Sequence, residues 1–409
     1  MGVDRAYVAR RTLACVRRIL DRERRARLAT RHHLAPSAKA TDAVALADRM
    51  VGLHATDPAT VFLAAAARLR RPTVAAVERA LYDDRTLVRT LCMRRTLFVV
   101  PVGLVPIVQA AVTDALVPPE RKRTVRMIEE AGIARDGAGW LRRAEAETLS
   151  AIDAAGEITG ADLSKAVPRL RKQIPYGEGK TWAGKMGMTT RVLFLLACEQ
   201  RVVRGRPQGA WTSTRYRWAP MRSWLPEGFP TWKPDEARAE LARRWLAAFG
   251  PGTVADLKWW TGWPLGQTRQ ALHGLDTVDV ELEDGRTALV LAGDEEPVRP
   301  PAPWATLLPS LDPTTMGWAE RDWYLGPHRA AVFDRAGNAG PTVWWDGRIV
   351  GGWTQLPDGE IVWRLLDDVG ADGRRAVGQA ADRLRAWLDG TVVAARFPTP
   401  LHEELRLRH

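Results

Sequence analysis

The stretch GLHATDPATVFLAAAARL, residues 52–69, sets a helix start immediately after a short run of polar side chains. Asp57 before Pro58 is a strong start signal. An aspartate oxygen can accept from the first free backbone N–H groups, and proline suits the first helical position, where its missing N–H costs nothing. Phe62, Ala66 and Leu69 then recur on one side, so the helix is expected to run to about residue 70 and to face a core. Upstream, Val44, Leu46, Met50 and Val51 predict a helix over 41–53, with Thr41 as its cap. Before that, a basic amphipathic helix is expected over 7–28, with Val8, Leu13, Val16, Ile19 and Leu20 as its stripe, followed by a loop around His32, His33 and Pro36.

Downstream, a helix over 73–82 leads to two β-rich stretches, 87–91 and 96–100, around the basic tip Met93-Arg94-Arg95. Helices followed by a tight hairpin predict a wing. The pattern returns twice. Helix 139–155 and the opening Thr159-Gly160-Ala161-Asp162-Leu163 precede a Gly-rich linker over 177–187. Helix 190–199, strand 201–204, a turn at Pro207-Gln208-Gly209 and strand 210–218 complete the second round. Helix 235–249, then Thr253-Val254-Ala255-Asp256-Leu257, helices 254–260 and 265–274, and strands 278–282 and 287–291 form the third. Its turn, Glu283-Asp284-Gly285, carries the Asp-Gly hairpin signal.

The expected fold class is therefore α+β: three tandem winged-helix units followed by a smaller β-rich α+β domain. Boundaries fall at 1–105, 106–225, 226–296 and 297–409. The last begins at a linker holding Pro297, Pro300, Pro301 and Pro303. It has turns at Asp346-Gly347 and Asp358-Gly359, a helix over 370–389 and a strand over 391–396, on the plan of a partial barrel.

The chain has 409 residues, with 60 Lys and Arg against 48 Asp and Glu, a formal charge of +12. Such a surplus points to a polyanionic partner held through phosphate neutralisation; a genome composition that favours arginine is the other source. Cys15, Cys92 and Cys198 show no CxxC spacing, which argues against disulfides and a structural zinc and for a reducing cytoplasm. The first residues, 1–11, are polar, and no apolar run approaches the roughly 20 residues of a membrane span. The histidines make no metal spacing, and neither a P-loop nor a GxSxG motif is present. No cofactor, no metal and no membrane are expected, and without heptads the chain reads as a monomer.

Four segments in order carry a resemblance: residues 52–69 above, LVRTLCMRRTLFVVP at 87–101, ADLKWWTGWPLGQTRQAL at 255–272, and LLPSLDPTTMGWAERDW at 307–323. Together they resemble the winged-helix DNA-binding family that includes the AlkZ and YcaQ type bacterial DNA glycosylases. The resemblance implies a C-shaped set of winged helices around double-stranded DNA and hydrolytic release of N-alkylated purines, crosslinks included. The family's catalytic pair, Gln-x-Gln or Gln-x-Asp, falls at His54 and Thr56 here, a departure from its pattern. A neutral His54 could hold a water and take its proton near neutral pH, and Thr56 could supply a second hydrogen bond to that water. Asp57, besides capping the helix, could stabilise a cationic sugar. Catalysis by this pair requires both side chains to look into a concave cationic cavity. Arg94 and Arg95 at the first tip, and Arg201, Arg204 and Arg206 with Trp211 at the second hairpin, are the expected DNA contacts. Trp259 and Trp260 fit a buried helix face. A DNA-binding regulator or lesion-binding scaffold without catalysis is the alternative.

Overall fold

The computed structural model describes residues 17–176, 179, 183–228 and 230–407. Helix and strand are mixed throughout, and one order of elements occurs three times. First, helix Ala43–Arg49 is followed by the two-residue strand Leu53–His54, helix Pro58–Arg68, helix Val74–Glu78 with a wider turn Arg79–Asp83, and the hairpin Leu87–Leu91 with Leu97–Pro101. The second round is helix Gly137–Ala155, strand Ile158–Thr159, helices Gly160–Ala166 and Met188–Cys198, and the hairpin Val202–Pro207 with Tyr216–Pro220. The third is helices Pro234–Phe249, Val254–Thr261 and Leu265–His273, and the hairpin Thr277–Leu282 with Thr287–Leu291. Each time, the chain just before the second helix pairs antiparallel with the hairpin's second strand: Leu53 with Val99, Ile158 with Trp218, and Gly252 with Leu289.

Side-chain oxygens start these helices, because the first backbone N–H groups have no partner within the helix. Asp57 accepts from Ala59 N at 3.0 Å, and Thr159 accepts from Asp162 N at 3.1 Å. Thr253 and Asp256 bond each other's backbone in a reciprocal box. Asp42, not Thr41, caps its helix, accepting from Val44 N and Ala45 N at 3.0 and 2.8 Å.

Several expectations change. Of the helix read over 7–28, residues 1–16, with Val8, Leu13 and Val16, lie outside the described residues. Ile19 belongs to strand Arg18–Ile19, which pairs parallel with Thr277–Leu282 and packs Ile19 on Val280 and Leu282. The helix itself is Asp21–Arg31. Among its arginines, Arg27 is buried between Glu23 and Asp294, both at 3.0 Å. Within the linker read over 177–187, Gly184–Gly187 is a strand paired with Gln173–Tyr176. A helical run from Val102 to Glu130 precedes the second round and is long and apolar enough, by composition, to span a bilayer. Its Val105, Ile107, Val108 and Ala111 are instead buried in the main core.

The C-terminal region holds an antiparallel sheet of Ala305–Leu308, Thr342–Trp345, Arg348–Gln355 and Ile361–Leu365, in that order. It is open, not a partial barrel, and helix Gly370–Leu388 packs against its first strand. The strand expected over 391–396 does not form. Val393 N donates to the Gln355 side chain instead of a strand edge, and helix Pro400–Leu407 follows.

One hydrophobic core joins the first round, the third round and the C-terminal region, while the helices of the second round bury a core of their own. The helix that begins at Pro58 is fixed from its far end. There Arg68 meets Asp312, while in its first turn Thr60 Oγ1 donates to Ser310 O at 2.8 Å.

Candidate active site

The segment that leads into helix Pro58–Arg68 is extended and tightly held. Gly52 lies at φ +102°, and a Cβ there would stand 2.9 Å from Val100 Cγ1, so only glycine admits this approach. Leu53 and His54 then pair with Val99 and Phe98, and Ala55 N donates to Leu97 O at 2.7 Å. Alternate residues of an extended chain share a face, which places His54 and Thr56 on one side. That side is interior. His54 is 3% exposed, and its ring centroid lies 5.0 Å from that of Phe98. His54 Nδ1 and Thr56 Oγ1 are both buried without a hydrogen-bond partner among the described residues. The two do not look into an open cleft in the free protein.

Burial, with a smaller push from Arg94, lowers the His54 pKa to about 3. The imidazole is therefore neutral across the physiological range, a good hydrogen-bonding group and a weak base. This corrects the expectation that it takes a proton near neutral pH. Asp57 is 7% exposed. Burial raises its pKa, opposed by the cap bond from Ala59 and by the Arg396 and Arg89 charges. Its carboxylate thus caps the helix and also sits in a cationic setting.

Sequence reasoning missed Arg89, whose only signal was a lone charge inside the apolar strand Leu87–Leu91. Arg89 is 2% exposed and donates through Nη1 to Ala55 O at 2.9 Å, gripping the peptide between His54 and Thr56. Its guanidinium lies 5.0 Å from the Tyr216 ring. Arg89 Nε and Nη2 and the Tyr216 hydroxyl are also buried and without a hydrogen-bond partner among the described residues. Each such group costs about 1–3 kcal/mol, so a run of them beside one peptide marks a functional place more than a structural one.

The two hairpins divide their arginines. Arg94 and Arg95 both take left-handed φ, +53° and +60°, at the first tip. That turn lays Arg94 over Trp259 at 4.0 Å. Burial first, then the Arg321 charge, lowers the Arg94 pKa to about 10, which leaves it charged at neutral pH. Arg95 is half-exposed and paired with Glu120 at 2.5 Å. In the second hairpin Arg201 is exposed. Arg204 lies 4.5 Å from the Trp218 ring, and burial lowers its pKa to about 10. Arg206 is held by Glu78 at 3.2 Å and Asp83 at 2.8 Å. Trp211 is no surface platform for a base. It is 9% exposed, with Phe62 and Trp387 at ring distances of 4.9 and 5.8 Å. Phe62 projects from the helix that Asp57 caps, and that contact draws the indole into the main core. Trp260 is buried and Trp259 partly so. Cys92 and Cys198 are free and buried, and Cys15 lies outside the described residues. Among the described residues no group of His, Cys, Asp and Glu has metal-binding geometry.

The profile of the AlkZ-like DNA glycosylases matches residues 47–387, from just before the extended segment to the end of helix Gly370–Leu388. The chain belongs to that family. Over 139 residues it is 34% identical to the interstrand DNA cross-link repair glycosylase of Streptomyces sahachiroi, a stretch covering 32% of this chain and 37% of that protein. The chain thus matches little more than a third of that relative's length. The solved structure of Streptomyces sahachiroi DNA glycosylase AlkZ shares its fold, with a TM-score of 0.70 at 22% identity, over 93% of this chain and 99% of that one. In this AlkZ-like chain the matched region contains His54, Thr56, Asp57 and Arg89 together.

Proposed function

We propose that this AlkZ-like protein is a monofunctional DNA glycosylase that hydrolyses the N-glycosidic bond of N-alkylated purines in duplex DNA, bulky adducts and interstrand crosslinks included. The observation that carries the reading is the family match over residues 47–387, a range that includes the His54–Pro58 segment. The three rounds of helices and hairpin are read as three winged-helix units, bounded near 105, 225 and 296, with the C-terminal region closing the DNA channel.

An N3- or N7-alkylated purine leaves as a good leaving group, so no strong general acid is needed. Water attacks the anomeric carbon as the C–N bond breaks, the alkylated base leaves with the bonding electron pair and so becomes neutral, and the surplus proton of the water passes by way of its His54 hydrogen bond to solvent, leaving an abasic sugar. In this reading His54 Nδ1 and Thr56 Oγ1, which have no partner among the described residues, bond that water, and Arg89 fixes the peptide between them. A weakly basic imidazole suffices, because the developing sugar cation makes the water acidic as the bond breaks. Asp57 offsets the charge on the sugar. Since both polar atoms are buried, the surfaces over them must part when the duplex seats. Arg94, Arg201 and Arg204 are the proposed phosphate contacts; Arg95 and Arg206 reach DNA only by leaving their carboxylates. The protein would act as a monomer on DNA in the cytoplasm, without a cofactor.

The burial of His54 and of the Thr56 hydroxyl favours a second reading, a DNA-binding scaffold that releases no base. One experiment separates the two. Purified protein is incubated with duplex carrying 7-methylguanine or a bulkier N7 adduct, and free base is measured by chromatography. Release by wild type that is lost in His54→Ala supports the glycosylase. Tight binding with no release from either substrate supports the scaffold.

A further inference from the structure

A cavity of about 530 Å³ lies on the opposite flank of helix Pro58–Arg68, between it, strand Ala305–Leu308 and helix Gly370–Leu388. Leu63 and Leu307 line it, with Trp353 and Leu384. Trp387 closes one side. Its indole N–H is already spent on Pro72 O at 3.1 Å, and that of Trp353 on Leu308 O at 2.9 Å. Both indoles therefore give the cavity carbon surface and no donor. The charged lining is cationic throughout: Lys39, Arg70 and Arg383, with no carboxylate among the described lining residues. Arg70 and Arg383 are exposed at the mouth, while Lys39 is half-buried. Lys39 Nζ donates to the Leu34 and Ala67 carbonyls at 3.0 and 2.5 Å, which leaves one N–H to give.

From this arrangement we infer that the cavity binds a small amphiphilic monoanion, an aromatic or aliphatic carboxylate or sulfonate, with its apolar body against the indoles and its charge among Lys39, Arg70 and Arg383. Volume and lining match a small-molecule site: concave, mostly apolar, with a few convergent polar groups. Burial lowers the Lys39 pKa to about 8, so it stays largely protonated at neutral pH. Backbone phosphate of DNA could reach the two exposed arginines but would leave the apolar interior unused. The site borders the proposed catalytic machinery: Leu63 and Trp353 also line a narrow crevice that contains Asp57.

The test is calorimetric titration of the full chain at pH 7 with naphthalene-2-sulfonate, and with 2-methylnaphthalene as its neutral counterpart. The expected result is saturable binding of one sulfonate per chain. Arg383→Glu, at an exposed position, should weaken it by about tenfold, and Leu384→Trp, which puts a third indole into the space the apolar body would take, should weaken it by at least about as much. Circular dichroism spectra of both variants should match wild type. Binding that neither variant changes, equal affinity for the neutral compound, or displacement of the sulfonate by undamaged duplex would each overturn the proposal. The measurement needs no base release, so it stands apart from the glycosylase assay.

Discussion

Arg68 and Asp312, 244 residues apart in sequence, meet with neither side chain exposed, through hydrogen bonds of 2.8 and 2.6 Å from the two ends of the guanidinium. Arg68 also donates to His32 O and to Thr314 Oγ1, and His32 Nδ1 bonds the same hydroxyl. The helix that Asp57 begins is thus tied at its far end to the segment Leu311–Thr314.

A buried pair of this kind contributes little over an apolar substitute, yet removing one partner leaves a stranded charge. Asp312→Ala should lower unfolding free energy by about 3–5 kcal/mol, and the double change Arg68→Met with Asp312→Leu should regain most of it. Urea unfolding of the three proteins checks this. A single mutant as stable as wild type would show the pair to be dispensable.

The His54 pKa of about 3 links stability to pH. The unfolded imidazole titrates near 6.5, so its contribution is fully present above that pH and is lost as pH falls towards 3. For one proton the steepest loss is about 1.4 kcal/mol per pH unit. His54→Gln should therefore compare worst with wild type at pH 7.5, and the gap should narrow by pH 5. Equal gaps at the two values would mean that the folded ring titrates normally.

Asp57 has two duties that substitution can part. Asp57→Asn keeps a side-chain oxygen for Ala59 N and should cost well under 1 kcal/mol, whereas Asp57→Ala should cost about 1 kcal/mol as a lost cap. If the carboxylate offsets charge on the sugar, Asn should also slow base release by at least about tenfold, against little change in stability. Unimpaired release by a stable Asn variant would reduce Asp57 to a cap.

DNA affinity should fall steeply with salt, and each phosphate-contacting arginine accounts for about one unit of that log–log slope. Arg201→Ala should flatten the slope by about one unit. Arg206→Ala, whose side chain is held by Glu78 and Asp83, should leave it nearly unchanged. Fluorescence anisotropy on one duplex across a salt series gives both numbers, and equal flattening would mean that Arg206 swaps its carboxylates for phosphate.

Local chemistry was legible in the sequence. Asp57-Pro58, Thr253 with Asp256, and Asp284-Gly285 act through neighbours a few residues away, and each start or turn falls where the residues predicted it. The pairing of distant segments was not. Nothing at Leu53–His54 announces its partners Val99 and Phe98. Thr391-Val392-Val393 has strand-forming side chains, yet its backbone bonds a glutamine. Of the candidate site, the residue types came from the motif, but their burial did not. That depends on Phe98, Arg89 and Tyr216, which reach His54 and its neighbours only through the fold. Trp211 was misplaced for the same reason, since its partners Phe62 and Trp387 lie far along the chain.

Val202 and Val203 are neighbours on one strand with different interiors behind them. Val202 belongs to the core of the second round and Val203 to the main core. A strand alternates its side chains, so this single ribbon is a party wall. Heat that melts the helices on one side strips one face of the wall while the other stays dry. Truncating Val202 and truncating Val203 should therefore weaken different halves of the molecule, although barely one peptide separates them.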